Sequence, residues 1–268
     1  MTTDTDYVAA LDSWKAKRLA ALKAADGWLN LVSRDWLQAG VFNVGSGATN
    51  DIVLPVGPEK LGVLTQHGDG EVDFVPAAGG AAARLSPNKK LPPKVLVDGL
   101  LLELTTINGE NALRVRDTLS PAPAAFPGIA RFPARPELRV VADWIAFDAP
   151  RGLTVDTSRQ IATAVEATHQ AVFTLAGQRY SLTATHGTPD APQFVFRDQT
   201  AADATYPAGR FVYGEVVTAT TIVIDFNKAI NPPCAFTDFA VCPLPPPENI
   251  LPIRIEAGEK RLPDGWGH

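Results

Sequence analysis

The segment from Val165 to His186, VEATHQAVFTLAGQRYSLTATH, alternates apolar and polar residues on either side of a glycine, the mark of two antiparallel strands joined by a tight turn. A two-residue turn at Gly177-Gln178 pairs Ala176 with Arg179 and, counting outward, Leu175 with Tyr180, Phe173 with Leu182, Ala171 with Ala184 and His169 with His186. Directly opposed Cβ atoms lie roughly 4.5–5.5 Å apart, so on this register both imidazoles reach one metal ion or one anion. They can equally sit solvated and inert at the open end of the hairpin. No third ligand is evident, so the sequence predicts no metal site.

Short apolar runs broken by Gly, Pro, Asn and Asp continue on both sides of this hairpin. Ahead of it, strands are expected at 28–33, 41–45, 51–55, 61–66, 71–75, 94–98, 100–106 and 111–116, then at 138–148. The hairpin's own strands are expected at 160–175 and 179–186, and beyond it strands are expected at 193–197, 210–217 and 220–226. Residues 78–93, AGGAAARLSPNKKLPP, read as a mobile loop, and 119–136, with five prolines, as a connection that cannot continue a central strand. The one strong helix signal is at 4–25. There Tyr7, Val8, Leu11, Trp14, Arg18, Leu19 and Leu22 form a stripe, with capping residues at Asp4, Thr5 or Asp6 and Gly27 at the end. The expectation is a mainly β protein. It has an amino-terminal helix (1–26) packed on the first sheet, a small sandwich-like half (27–118), the proline-rich connection (119–136) and a larger antiparallel half (137–268).

The chain has 268 residues, 46% hydrophobic and 20% charged, enough for a sizeable core. A net charge of −5 without a basic stripe argues against nucleic-acid binding. No stretch approaches the roughly 18–20 apolar residues of a spanning helix, and the start lacks a secretory-type apolar core. A soluble, cytoplasmic protein is expected, its two cysteines reduced. No cofactor motif is present, and the oligomeric state is not legible.

Candidate chemistry gathers near the carboxyl end, in Asp225–Lys260, DFNKAINPPCAFTDFAVCPLPPPENILPIRIEAGEK, and the turn before it. Arg210 opens a strand after the turn Tyr206–Gly209; it can clamp a carboxylate or phosphate, or pair with Asp198 or Asp203 to tie the turn down. Asp225 ends a strand as Asn227 begins a loop. These two and Asn231 can orient a ligand, or satisfy exposed backbone as Asx side chains do. Cys234 is a nucleophile if a base lies near, and otherwise one of two buried thiols with Cys242. Glu256 and Glu259 suit acid–base chemistry, or surface ion pairing with Arg254 and Lys260.

Two resemblances follow from motifs. VGSGATNDIVLP (44–55) resembles the turn of forkhead-associated domains, small phosphothreonine-binding β-sandwiches. Ser46 stands where those place a phosphate-contacting Arg, and no Ser-x-x-His follows, so only the compact β-fold is expected. The order FRDxT (196–200), TYxxGRF (205–211), DFNxAxNPPCAF (225–236), CPLPPPEN (242–249) and AGEK (257–260), preceded by GWLxL (27–31) and DWL (35–37), resembles a bacterial and archaeal domain-of-unknown-function family (DUF1684-like). That resemblance implies a signature of Asp198, Thr200, Tyr206, Gly209, Arg210, Asp225, Asn227, Asn231, Cys234, Cys242, Asn249, Glu256 and Glu259, and brings no activity with it. Three functions stay open. One is a polar or anionic small-molecule site with Arg210, Tyr206, Asp198, Asn227 and Asn231 as binding groups. Another is a hydrolase-type enzyme using Glu256, Asp225 or Cys234 in the same place. The last is a structural or interaction protein without a pocket.

Overall fold

The computed structural model describes residues 4–263 and 266. It is mainly β with an amino-terminal helix, as the periodicity predicts. Contacts divide the chain into two compact units, one formed by Ala20–Phe126 and the other by the chain up to Leu19 together with Pro127 onward.

The unit of Ala20–Phe126 contains nine strands. They are β1 (Leu31–Trp36), β2 (Gly40–Gly45), β3 (Ile52–Val53), β4 (Gly62–Gln66), β5 (Val72–Pro76), β6 (Ala83–Leu85), β7 (Lys94–Val97), β8 (Leu100–Ile107) and β9 (Glu110–Asp117). They form a four-stranded sheet, β1-β9-β8-β7, and a five-stranded sheet, β3-β2-β4-β5-β6, in which β2 and β3 run parallel. Val44, Leu64 and Phe74 of one sheet and Leu102, Leu113 and Val115 of the other share one buried cluster, the layered core of a sandwich. The region read as a mobile loop at 78–93 contains β6. Leu85 there is buried opposite Val72, and this single apolar anchor makes an edge strand of a small-residue stretch.

The second unit holds β10 (Arg139–Val155), β11 (Thr163–Leu175), β12 (Gln178–Thr183), β13 (His186–Thr188), β14 (Ala191–Phe196), β15 (Arg210–Glu215) and β16 (Thr221–Asp225). Their order is β12-β11-β10-β16-β15-β14-β13. The two ends of that order are halves of one segment interrupted only at residues 184–185. Ala184 N–H donates to the His169 carbonyl at 3.2 Å and Thr185 N–H to the Gln193 carbonyl at 3.2 Å, so the sheet closes on itself as a barrel. Alternate residues Ala171, Phe173, Phe194, Phe196, Ile222 and Ile224 fill its interior. Phe226, Leu251 and Ile255 from the irregular segment beyond β16 complete that core.

The hairpin register differs from expectation by two residues. Leu175 pairs with Gln178, Phe173 with Tyr180 and Ala171 with Leu182. The two turn residues are therefore Ala176 and Gly177, at φ 49° and 77°, the doubly left-handed combination that matches strand twist. His169 and His186 are thus not opposed; His186 pairs with Gln193 on β14. Ala176 holds a conformation that costs an L-residue energy. Ala176→Gly is expected to raise the unfolding free energy by roughly 0.5–1 kcal/mol, checked by urea denaturation.

The helix, α1 (Asp4–Lys23), corrects one expectation, since up to Leu19 it belongs with the barrel and not with the first sheet. Tyr7 donates to Asp225, Arg18 Nε to Glu259 at 3.2 Å, and the Arg131 guanidinium lies 5.2 Å from the Trp14 ring centroid. The stripe is read correctly from spacing, but its partners lie more than 100 residues away. Among the described residues, no helix is long and apolar enough to cross a membrane.

Candidate functional site

The segment from Phe226 to Lys260 crosses the barrel core with almost no ladder of its own, so its backbone polar groups need other partners. The signature side chains supply many of them. Asn249, fully buried, accepts from Thr183 N–H at 2.7 Å and donates to the carbonyls of Thr183 and Val195, both at 2.9 Å. Its amide stands in for a peptide unit between β12 and β14. Asn227 does the same for Arg135, accepting from its N–H at 2.8 Å and donating to its carbonyl at 2.8 Å. Glu259, also fully buried, receives Asn231 N–H at 2.6 Å, Arg131 Nη2 at 2.7 Å and Arg18 Nε. The Asn231 amide donates to the Lys260 carbonyl at 2.8 Å.

Arg210 is 1% exposed. Its Nη2 donates to Asp198 Oδ1 at 3.0 Å and to the Ile255 carbonyl at 3.1 Å, and its Nη1 donates to the Ala257 carbonyl. The guanidinium lies 5.2 Å from the Phe196 ring centroid. Burial pulls its pKa below the ordinary value, with Asp198 opposing. Asp198 Oδ2 accepts from Ile255 N–H at 2.7 Å, and Thr200 Oγ1 donates to both carboxylate oxygens at 2.9 Å. Gly209 precedes this arginine at φ 111°, where an added Cβ would meet the Phe196 carbonyl oxygen at 2.7 Å. Of the two partners foreseen for Arg210, the structure gives Asp198; Asp203 pairs instead with Arg254 at 3.2 Å.

The carboxyl-terminal candidates therefore do not converge on one hollow. Arg210 and Asp225 are each 1% exposed within separate networks, and Glu256 is exposed and paired with Arg254 at 3.2 Å. Tyr206 donates to the Cys234 carbonyl at 3.3 Å. Cys234 and Cys242 are buried together as thiols. His169 stacks on Trp144 at 4.8 Å and lines a cavity of about 490 Å³ that His186 also borders, since a two-residue shift preserves the face of a strand. Among the described residues, no group of three or more His, Cys, Asp or Glu is placed to hold a metal ion.

One candidate does stand at a cavity wall through an intermediary. Asp225 accepts the Tyr7 phenol on both oxygens at 3.0 Å, and its Oδ1 also accepts Asn227 N–H at 3.1 Å and Nδ2 at 3.0 Å. Burial and then Asp225 push the Tyr7 hydroxyl well above the ordinary tyrosine range, so it remains protonated. Tyr7 lines a cavity of about 380 Å³ together with Ala10, Leu11, Pro136, Arg139, Glu215 and Lys228. Arg139 is Asp225's neighbour across the β10–β16 ladder, and Lys228 Nζ pairs with Glu215 at 2.5 Å. Sequence reasoning missed Tyr7, Arg139, Glu215 and Lys228 as site residues. Tyr7 was visible only as a helix-stripe member, and Arg139 comes beside Asp225 only once the strand pairing is known.

Residues 124–260, just over half of the chain and most of the barrel unit, match the model of a family described as protein of unknown function (DUF1684). The chain belongs to this family. The motif order from FRDxT to AGEK falls within the matched residues, and in this family member those motifs are the ones that hold the irregular segment in the barrel. A solved structure of an uncharacterized protein from Haloarcula marismortui, determined by solution NMR, is 29% identical, covers 52% of this chain and 79% of that one, and superposes with a TM-score of 0.43. No curated protein matches the chain.

Proposed function

We propose that the barrel unit binds a small polar anion in the cavity bordered by Tyr7, Arg139 and Lys228. The observation that carries this reading is the fixing of Tyr7 at the cavity wall by a buried carboxylate that points both oxygens at its phenol. Burying a carboxylate is costly, and satisfying it with a helix side chain of a different part of the sequence fixes that side chain's place. Because the phenolic proton goes to Asp225, the Tyr7 oxygen faces the cavity as an acceptor and suits a hydrogen-bond donor on the ligand. Arg139, exposed, and Lys228, which also line the cavity, suit the ligand's negative charge. A molecule with both features, an anionic group and a hydroxyl as in glycerol phosphate, fits a cavity of about 380 Å³.

Asp225 and Asn227 then act as orienting groups one layer behind the ligand. Arg210, Asp198 and Asn231 serve the scaffold, and among the described residues the one carboxylate lining this cavity, Glu215, pairs with Lys228. A binding role is favoured over catalysis on that ground. Thermal unfolding in inorganic phosphate and in glycerol phosphate tests the reading. A rise in melting temperature is expected with glycerol phosphate at millimolar concentration, lost in Arg139→Ala and weakened at least about tenfold in affinity in Tyr7→Phe, the effect of roughly 1.4 kcal/mol. Identical responses of wild type and both variants to each anion would sink it.

A further inference from the structure

The sequence contains two cysteines, and the structure places both in one buried nest that the proposed ligand cavity does not use. Each is brought there by backbone whose path is fixed. Pro232 and Pro233 lead into a short 3₁₀ turn, Pro233–Ala235, that sets Cys234. The stretch from Cys242 to Leu244 is stitched to residues 156–158. Leu244 N–H donates to the Asp156 carbonyl at 2.8 Å, Ser158 N–H to the Cys242 carbonyl at 2.8 Å, and Cys242 N–H to Ser158 Oγ at 3.1 Å. Between these anchors Cys234 N–H donates to Cys242 Sγ at 3.2 Å, and the two thiols hydrogen-bond to each other. Tyr206 adds its hydroxyl 3.6 Å from Cys234 Sγ.

We propose that Cys234 and Cys242 form a reversible disulfide, with Cys234 as the sulfur that reacts first with oxidant and Cys242 as the sulfur that resolves it. The donors are asymmetric. Cys242, then Tyr206 and Ser158, hydrogen-bond to the Cys234 sulfur and bring its pKa down to about 7, whereas Cys242, giving its proton to Cys234 and buried besides, is pushed far up. Tyr206 is itself raised above the ordinary range by burial and by Cys234, so it stays a donor across neutral pH. Arg159, paired with Asp238 at 3.2 Å, lies close enough to act on the nest. The thiolate is the reactive form of cysteine, so the pair has one sulfur prepared to react at neutral pH and a second within contact to follow.

With hydrogen peroxide the steps balance. The Cys234 thiolate attacks one peroxide oxygen, an S–O bond forms, the O–O bond breaks, and the departing hydroxide takes a proton from solvent. The Cys242 sulfur then attacks the sulfenyl sulfur of Cys234, an S–S bond forms, the S–O bond breaks, and hydroxide leaves with the Cys242 proton as water. Two thiols are oxidised, one peroxide is reduced, and two waters result. A dithiol reductant reverses the reaction by two exchanges. The crosslink closes a nine-residue loop, 234–242, between two proline-rich stretches, and so stiffens a part of the chain that has little ladder of its own.

Intact mass spectrometry after brief peroxide treatment, denaturation and alkylation of the full chain tests the proposal. The expected product takes up no alkylating groups, is monomeric on non-reducing gels, and regains two groups after dithiothreitol. Cys242→Ser is expected to stop at a sulfenic acid that dimedone traps on residue 234, and Cys234→Ser to react at least about tenfold more slowly. The rate for wild type should rise with pH and level off above about 7, and Tyr206→Phe should move that inflection upward. Two thiols still alkylated after doses that oxidise free cysteine, an intermolecular dimer, or overoxidation of Cys234 without a crosslink would each overturn it. Circular dichroism of the serine variants separates lost reactivity from lost folding.

Discussion

Arg210→Ala is expected to lower the unfolding free energy by roughly 3–5 kcal/mol, the usual consequence of removing one partner from a buried ion pair. Three separate groups lose a donor at once: Asp198, the Ile255 carbonyl and the Ala257 carbonyl. The same arginine joins the start of β15 to the segment at 255–257, so its removal loosens two parts of the barrel. Urea denaturation followed by tryptophan fluorescence measures the loss. The double variant Arg210→Met with Asp198→Asn removes the charge on both sides and retains bulk beside Phe196, so it should unfold with a smaller loss than Arg210→Ala alone. A single variant within about 1 kcal/mol of wild type would show that water replaces the guanidinium, and the scaffold role assigned to Arg210 would fail.

Why Arg210 reads as a ligand clamp in the sequence is instructive. A strand-opening arginine after a glycine turn has the same local pattern whether its fork meets a ligand or a carboxylate twelve residues earlier. Local spacing found the elements well. The strand at 220–226, the runs at 100–106 and 111–116 and the amino-terminal helix all lie where period two or period 3.6 places them. What spacing did not supply was pairing between distant segments. The barrel closure depends on one strand, 178–188, changing neighbours at 184–185, and no pattern of apolar residues marks that point. The two-residue hairpin shift has the same source, since Ala176 at positive φ is a poor match to turn preferences and the pattern alone favours the glycine next to it as the first turn residue.

The site was hidden for a related reason. Asp225 and Asn227 are local in sequence and were visible together, whereas Tyr7 reaches Asp225 across 218 residues and Arg139 reaches it only through strand pairing. The density of polar residues near the carboxyl end was a real signal, but most of it marks backbone that lacks a ladder. Asparagine serves that need better than aspartate or serine, because one flat group both accepts and donates, as a peptide does.

Asn249 is the strongest instance and carries the second large effect. Asn249→Ala is expected to destabilise the protein by roughly 3–5 kcal/mol, because one N–H and two carbonyls inside the barrel lose their partner together. The damage should be local before it is global. The Thr183 amide, which donates to Asn249 Oδ1 at 2.7 Å, should exchange with deuterium faster than the amides of β16. Asn249→Asp retains the acceptor for Thr183 N–H but loses both donors and turns a charge toward the carbonyls of Thr183 and Val195, so it should be at least as harmful as alanine. An aspartate variant as stable as wild type would mean that the two donated bonds contribute nothing. The closure of β12 onto β14 would then rest on backbone pairing and apolar packing alone.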